Sequence, residues 1–287
     1  MRAGAIALYE EAMREQAEML VLRTADGRAL PLQVSRWCGA PDAIDEGMLR
    51  HCRGPVLDVG CGPGRLTVAL TKRGIPVLGV DISPAAVARV RQAGAPALHR
   101  SVFDPLPGQR RWATVLLADG NIGIGGRPAR LLRRCADLLA PGGRILIEAE
   151  PGDIDEQLTA WLEHPDGRRG PDFPWARMGT AALLRAAADA GLQAGRQWHH
   201  ADRAFVLATR PAARPERRKP ADVLSLTCSV EGALNLPNES AYSPQAAAAR
   251  PLPPPPARAY WRWRSAGRHH LGRGRLERQD LSFRRKR

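Results

Sequence analysis

The chain has 287 residues, 44% of them apolar, and carries 43 Lys+Arg against 29 Asp+Glu for a formal net charge of +14; that composition supports a globular core. No apolar run approaches the roughly 18 residues of a membrane-spanning helix, and Glu10 and Glu11 break the apolar N-terminal stretch before a signal-peptide core forms, so a cytoplasmic protein without a membrane partner is expected. The five cysteines (Cys38, Cys52, Cys61, Cys135 and Cys228) include no C-x-x-C pair and stand at no ligand spacing from any histidine, which argues against a disulfide framework and leaves no metal site to expect.

In chain order, Ile6, Tyr9, Met13, Ala17 and Leu20 recur at three and four and predict an amphipathic helix over 5–22. Residues 23–41 read as irregular, with a turn at Asp26-Gly27, and Asp42 suits the N-cap of a helix running to about Cys52. Residues 1–53 are therefore expected to form an N-terminal helical cap or lid. From Pro55 the pattern changes. Strands are predicted at Val56–Val59, Ile75–Val80, Ala97–His99, Ala113–Ala118 and Arg144–Ala149. Helices are predicted between them at Arg65–Lys72, Pro84–Gln92 and Pro128–Leu139, with Pro84 suited to a first turn. Residues 150–178, rich in Pro and Gly, read as a functional loop or lid. A helix over Thr180–Ala190 precedes two strands, Leu192–Trp198 and Arg203–Thr209, close enough to pair antiparallel around Ala201-Asp202.

Strand–helix alternation with short connections requires an α/β fold with a mostly parallel sheet and helices on both faces. Residues 54–210 are expected to be that domain. Residues 211–287 differ: they hold 16 Lys+Arg against 6 Asp+Glu, leaving the first 210 residues nearly balanced at 27 against 23. The tail also carries the run Ala246–Ala249, the proline segment 251–256 and the basic end Arg284-Arg285-Lys286-Arg287. High charge and prolines without backbone donors oppose a packed core, so a disordered tail is expected. Its Tyr260-Trp261-Arg262-Trp263-Arg264 interleaves aromatics with arginines, a pattern able to stack on bases and hold phosphates.

The first strand runs into Gly60-Cys61-Gly62-Pro63-Gly64 and then a helix. Glycines there permit positive φ and close backbone approach by a ligand, and a helix start presents unpaired N–H groups. Asp58, Asp81, Asp104 and Asp119 all fall at carboxyl ends of predicted strands, where open α/β sheets bind ligands. The spacing G-x-G-x-G, with Arg65 next, departs from the G-x-G-x-x-G of dinucleotide sites, and no P-loop is present.

The sequence Val56-Leu57-Asp58-Val59-Gly60-Cys61-Gly62-Pro63-Gly64 resembles the first motif of the class I S-adenosylmethionine-dependent methyltransferases, which have a seven-stranded Rossmann-like fold. Gly79-Val80-Asp81-Ile82-Ser83 is similar to their second-strand acidic motif, Phe103-Asp104 to their adenine-contacting motif, and Leu138–Leu146 to their turn before the fifth strand. Leu116–Gly126 is similar to an uncharacterised actinobacterial subgroup. The four motifs cover about residues 54–150. The resemblance implies a doubly wound, mostly parallel seven-stranded sheet with an antiparallel last strand, and S-adenosylmethionine as cofactor. It assigns Gly60, Gly62 and Gly64 to the methionine part, Asp58 to its amino group through water, and Asp81 to the ribose hydroxyls. Asp104 is assigned to the adenine amine, with Val102, Phe103 and Ile82 as apolar walls, and the backbone at Leu117–Ala118 to the amino-acid end.

Asp119 and Asn121 follow the fourth strand, where the family often places substrate-facing groups, and are the candidate catalytic residues; Asp119-Gly120-Asn121-Ile122 does not match the Asn/Asp-Pro-Pro-Tyr motif of amino-group methylators. Tyr9, Arg36, Trp37, His164 and Trp175 lie in segments able to cover the site. The expected activity is methyl transfer by in-line displacement to a small-molecule oxygen or nitrogen. A nucleic-acid or protein methyltransferase recruiting its substrate through the basic tail, a non-catalytic cofactor-binding protein, and aminopropyl transfer are the alternatives.

Overall fold

The computed structural model describes residues 3–15 and 20–212; the expectations for the basic tail fall almost wholly outside them. The chain begins with α1 (Ala3–Glu15), β1 (Leu20–Thr24), β2 (Ala29–Leu32), α2 (Val34–Cys38) and α3 (Ala43–Leu49). Two expectations are corrected here. The N-terminal helix does not reach residue 22, because Leu20, Leu22 and Thr24 are buried in strict alternation and belong to a strand. The segment read as irregular contains the hairpin β1–β2, closed at the predicted Asp26-Gly27 turn with Gly27 at φ +88°. Asp42 does cap α3: its side chain accepts from Asp45 N at 2.7 Å while Asp45 accepts from Asp42 N at 3.1 Å, a reciprocal capping box.

The alternating part follows: β3 (Val56–Val59), α4 (Arg65–Lys72), β4 (Val77–Asp81), α5 (Pro84–Gln92), β5 (Ala97–His99), β6 (Trp112–Leu117), a 3-10 segment (Asn121–Gly126), α6 (Pro128–Leu138) and β7 (Leu139–Ala149). Next come β8 (Asp155–Glu163), β9 (Phe173–Met178), α7 (Thr180–Asp189), β10 (Gln193–His200) and β11 (Arg203–Thr209). Seven strands form one sheet in the order β10-β11-β7-β6-β3-β4-β5. Neighbours from β7 to β5 are parallel, and β11 runs antiparallel to both β7 and β10. This is the expected mostly parallel sheet with an antiparallel last strand. Its central strand β3 is buried along its whole length, as a strand covered on both faces must be.

The segment 150–178 is not a loop. Its strands β8 and β9 join the N-terminal hairpin in a second, four-stranded antiparallel sheet, β2-β1-β8-β9. Pro174 of this segment lies in edge strand β9, as Pro31 does in edge strand β2 at the other side of the sheet, and a missing ladder donor is tolerated at an edge. Ala5, Leu8 and Met13 of α1 pack with Leu20, Leu22, Ala160, Leu162 and Phe173 of this sheet. The expected helical cap is therefore a helix-and-sheet roof assembled from the N-terminal elements and the segment between β7 and α7. The 3-10 segment lies against it. A Cβ at Gly126 would stand 2.6 Å from Pro174 Cβ, so glycine is what lets β9 approach the sheet's carboxyl edge.

Among the described residues no helix is long and apolar enough to cross a membrane. Leu162, 2% exposed, is central to the roof core; Leu162→Ala is expected to lower stability by about 2–5 kcal/mol, read as a drop in the urea midpoint.

Candidate functional site

The carboxyl ends of β3, β4, β5 and β6 converge under the roof on a cavity of about 400 Å³, within the range of small-ligand sites. Its floor is the turn after β3. Gly60, Gly62 and Gly64 have φ of +70°, +53° and +98°, all left-handed. Such values are available to glycine at no steric cost. Gly64 then serves as the N-cap of α4. The loop is clamped from two sides. Gly62 N donates to Asp81 Oδ2 at 2.8 Å, and Asn121 Nδ2 donates to Val59 O at 2.9 Å and Gly60 O at 3.0 Å.

Asp81 closes β4. Its other oxygen accepts from Ser83 N at 2.8 Å. Burial pushes its carboxyl above the usual range, opposed by the hydrogen bonds from Ser83 and Gly62. The N-terminal helix docks on this same corner: Ser83 Oγ donates to Glu10 Oε1 at 2.7 Å, and Ala85 N to the same oxygen at 3.1 Å. Tyr9 then lies over the glycine loop, and burial, with Asp81 beside it, holds its phenol well above its ordinary value.

Asp58 lies beneath the loop, 2% exposed, and accepts from Thr67 Oγ1 at 2.6 Å. Burial is the main reason its carboxyl is pushed up to about 7; Thr67 opposes the shift, while Asp119 and Asp81 add to it. Ile82, Ser101, Val102 and Phe103 wall the far end of the cavity. The Arg130 guanidinium stacks on the Phe103 ring at 4.5 Å.

Three assigned residues stand elsewhere. Gly64 does not line the cavity; a Cβ there would meet Val90 Cγ2 of α5 at 2.6 Å, so its glycine serves helix packing. Asp104 is exposed and does not line the cavity; its backbone turns back to Ser101 O at 3.1 Å, so Ser101 and Val102 occupy the wall instead. Leu117 is fully buried in the main core, and Ala118, one residue on, provides the lining.

Asp119 does reach the cavity, in a left-handed conformation at φ +52°. Both of its oxygens are engaged, by Arg36 Nη1 at 2.8 Å and Arg65 Nη2 at 2.5 Å, and its N–H donates to Glu148 Oε2 at 2.9 Å. Behind it lies Asp45, with no exposed surface, which pairs with Arg36 at 2.9 Å, Arg203 at 2.9 Å and Arg65. Nothing in the sequence alone marks Asp45 or Arg203 as part of the site. The signal available was Arg65 directly after the glycine loop, on an otherwise apolar helix face.

Of the covering residues, Tyr9, Trp37 and Trp175 line the cavity and Arg36 pairs with Asp119. His164 does not line it: it is buried between Glu15 and Asp166, at 3.3 and 3.1 Å.

A seven-stranded sheet of this order, with a glycine turn after its central strand and a carboxylate closing the next, defines a Rossmann-like cofactor-binding protein. Residues 9–194 match the family described as a methyltransferase domain, and the chain belongs to that family. It is 36% identical over 101 residues to the ubiquinone biosynthesis O-methyltransferase of Pseudomonas paraeruginosa, covering 32% of this chain and 42% of that protein. It is 49% identical over 136 residues to a lysine N-methyltransferase of ATP synthase from Mus musculus, covering 45% of this chain and 51% of that protein. The chain thus spans about half or less of the length of these relatives. A SAM-dependent methyltransferase from Bacteroides fragilis, solved with S-adenosyl-L-homocysteine, shares the fold with a TM-score of 0.61 at 23% identity, over 72% of this chain and 94% of that one.

The unfolded chain ionises Asp58 at about pH 4 and the folded chain at about 7. The folded state therefore binds the extra proton between those values and loses stability as pH rises through them. Asp58→Asn removes that term, so its stability relative to wild type should climb by roughly 4 kcal/mol from pH 4 to 7, measured by urea unfolding at each pH without ligand.

Proposed function

We propose that this protein binds S-adenosylmethionine in the cavity above the glycine loop and transfers its methyl group to a small-molecule oxygen or nitrogen. The observation that carries this reading is the pairing of Asp81 with Gly62 N–H on the floor of that cavity. A Cβ at Gly62 would stand 2.9 Å from Tyr9 Oη, and one at Gly60 2.9 Å from Asn121 Nδ2, so glycine at both positions is what lets these two side chains close on the loop at the cavity floor.

When bound, the sulfonium supplies an electrophilic methyl group: the acceptor's lone pair forms the new bond, the C–S pair stays with sulfur, and any acceptor proton passes to base or solvent. The protein's part is positioning, which alone is able to lower a barrier by roughly 7–11 kcal/mol. Each Asp81 oxygen accepts one backbone N–H and keeps a lone pair for a ribose hydroxyl. Ile82, Val102 and Phe103 offer apolar faces to the adenine, Ser101 a hydroxyl. The backbone at Gly60 and Gly62 faces the methionine part, and Asp58 meets its amino group through water.

Asn121 acts on the loop, fixing two of its carbonyls. Asp119 acts as an orienter at the methyl-transfer end, since both oxygens are already taken by arginines. Arg36 and Asp119 fix the cavity edge nearest the acceptor.

Calorimetry tests the reading. S-adenosylmethionine and S-adenosylhomocysteine should bind and NAD should not. Asp81→Ala should weaken both sulfur nucleosides by at least about 100-fold, since two hydrogen bonds to a charged acceptor at about 1.5–3 kcal/mol each come to about 3–6 kcal/mol. NAD binding in place of the sulfur nucleosides, or an undiminished Asp81→Ala affinity, refutes it.

A further inference from the structure

A second cavity, of about 520 Å³, adjoins the first and shares Trp37, Trp175 and Asp119 with it. It lies between the roof and the carboxyl ends of β6 and β7. We propose that this cavity binds the methyl acceptor, and that it is built for an amine; this rests on the reading of the first cavity as the cofactor site.

The argument is one of charge and of which charges are already used. Five carboxylates line the second cavity: Asp42, Asp119, Glu148, Glu150 and Asp202. Only three arginines do, and each is engaged. Arg36 pairs with Asp42, Asp45 and Asp119 at 3.2, 2.9 and 2.8 Å. Arg203 grips Glu148 with two nitrogens at 2.6 and 2.8 Å and also reaches Asp45 at 2.9 Å. Arg177 holds Glu150 with two nitrogens at 3.2 and 2.9 Å and stands 3.6 Å from Glu156.

An anionic guest would have to displace a carboxylate from its arginine to find a partner. A guest carrying N–H donors and positive charge meets the opposite situation. The carboxylates outnumber the cations, Glu150 is held by one arginine alone, and Asp202 has no ion pair among the described residues. Trp37 and Trp175, half-buried at the boundary between the cavities, add aromatic faces, which attract cations within about 6 Å. Leu30, Leu32 and Ile44 provide an apolar wall for the body of the molecule. Carboxylates, aromatic rings and an apolar wall together describe recognition of an amine on a hydrophobic skeleton. The shared boundary sets the amine at the methyl end of the first cavity. Free amines and the lysine side chain of a peptide both carry this chemistry.

The full-length protein is titrated calorimetrically with 2-phenylethylamine, 2-phenylethanol and 3-phenylpropanoate, and with a short lysine-containing peptide, each with and without S-adenosylhomocysteine. The expected result is that 2-phenylethylamine or the lysine peptide binds at least ten times more tightly than the alcohol, and the carboxylate more weakly still; which of the two amines binds identifies the source. Glu150→Gln and Asp202→Asn, made singly and together, should weaken the amine at least five-fold in combination while leaving S-adenosylhomocysteine affinity unchanged. Because Asp202 is exposed and pairs with nothing described, its variant folds whatever happens at Glu150. An alcohol or carboxylate binding as tightly as both amines, or a double variant that keeps its amine affinity, overturns the proposal. Loss of S-adenosylhomocysteine binding alone overturns the cofactor reading instead, and the ligand-free titrations still report the amine preference.

Discussion

One carboxylate with no exposed surface, Asp45, organises the site. It draws Arg36 from the roof, Arg65 from the start of α4 and Arg203 from the last hairpin to a single point. Burying a charge is costly unless its partners are close and its lone pairs are filled, and here three guanidiniums and the capping bond from Asp42 N do so. The consequence is geometric. Elements far apart in the chain are tied together beneath Asp119, so the rim of the cavity is fixed by electrostatics where no regular secondary structure could fix it.

That arrangement also divides labour among the acidic residues. Asp81 keeps its carboxylate toward the cavity, with two backbone donors holding it in place. Asp58 is enclosed and leans on one hydroxyl. Asp119 spends both oxygens on arginines. Residues that look equivalent as carboxylates at strand ends thus have different freedom to act, and their neighbours decide which.

The parallel sheet was legible because its cues are local and redundant: short apolar runs, helices of the right length, glycines at the turns, and the glycine loop with Asp81 about one strand–helix unit later. The roof was less legible. Leu20 fits a helical stripe and a strand alternation equally well, and only pairing with β8 decides between them. Pro151, Pro165, Pro171 and Pro174 made 150–178 read as a loop, yet Asp155–Glu163 does alternate in burial near its end. Gly123, Gly125 and Gly126 gave no functional signal in the sequence; their reason is the close approach of Trp175, Phe103 and Pro174. Asp104 lies exposed and outside the cavity because a motif match locates a turn but not the direction of each side chain within it. Asp45 carries no signal of its own in the sequence, because two of its three arginine partners, Arg65 and Arg203, come from distant segments.

The roof sheet is built from two pieces far apart in the chain: Arg23 on β1 meets Glu163 on β8, 140 positions further along. At synthesis rates of about 5–20 residues per second, β1 waits on the order of ten seconds for that neighbour. Through that interval the nascent hairpin shows one bare ladder of amides and carbonyls along an apolar strand, the kind of edge on which neighbouring chains pair. The same long-range closure that finishes the chamber therefore also ends the interval in which this edge is open to other chains.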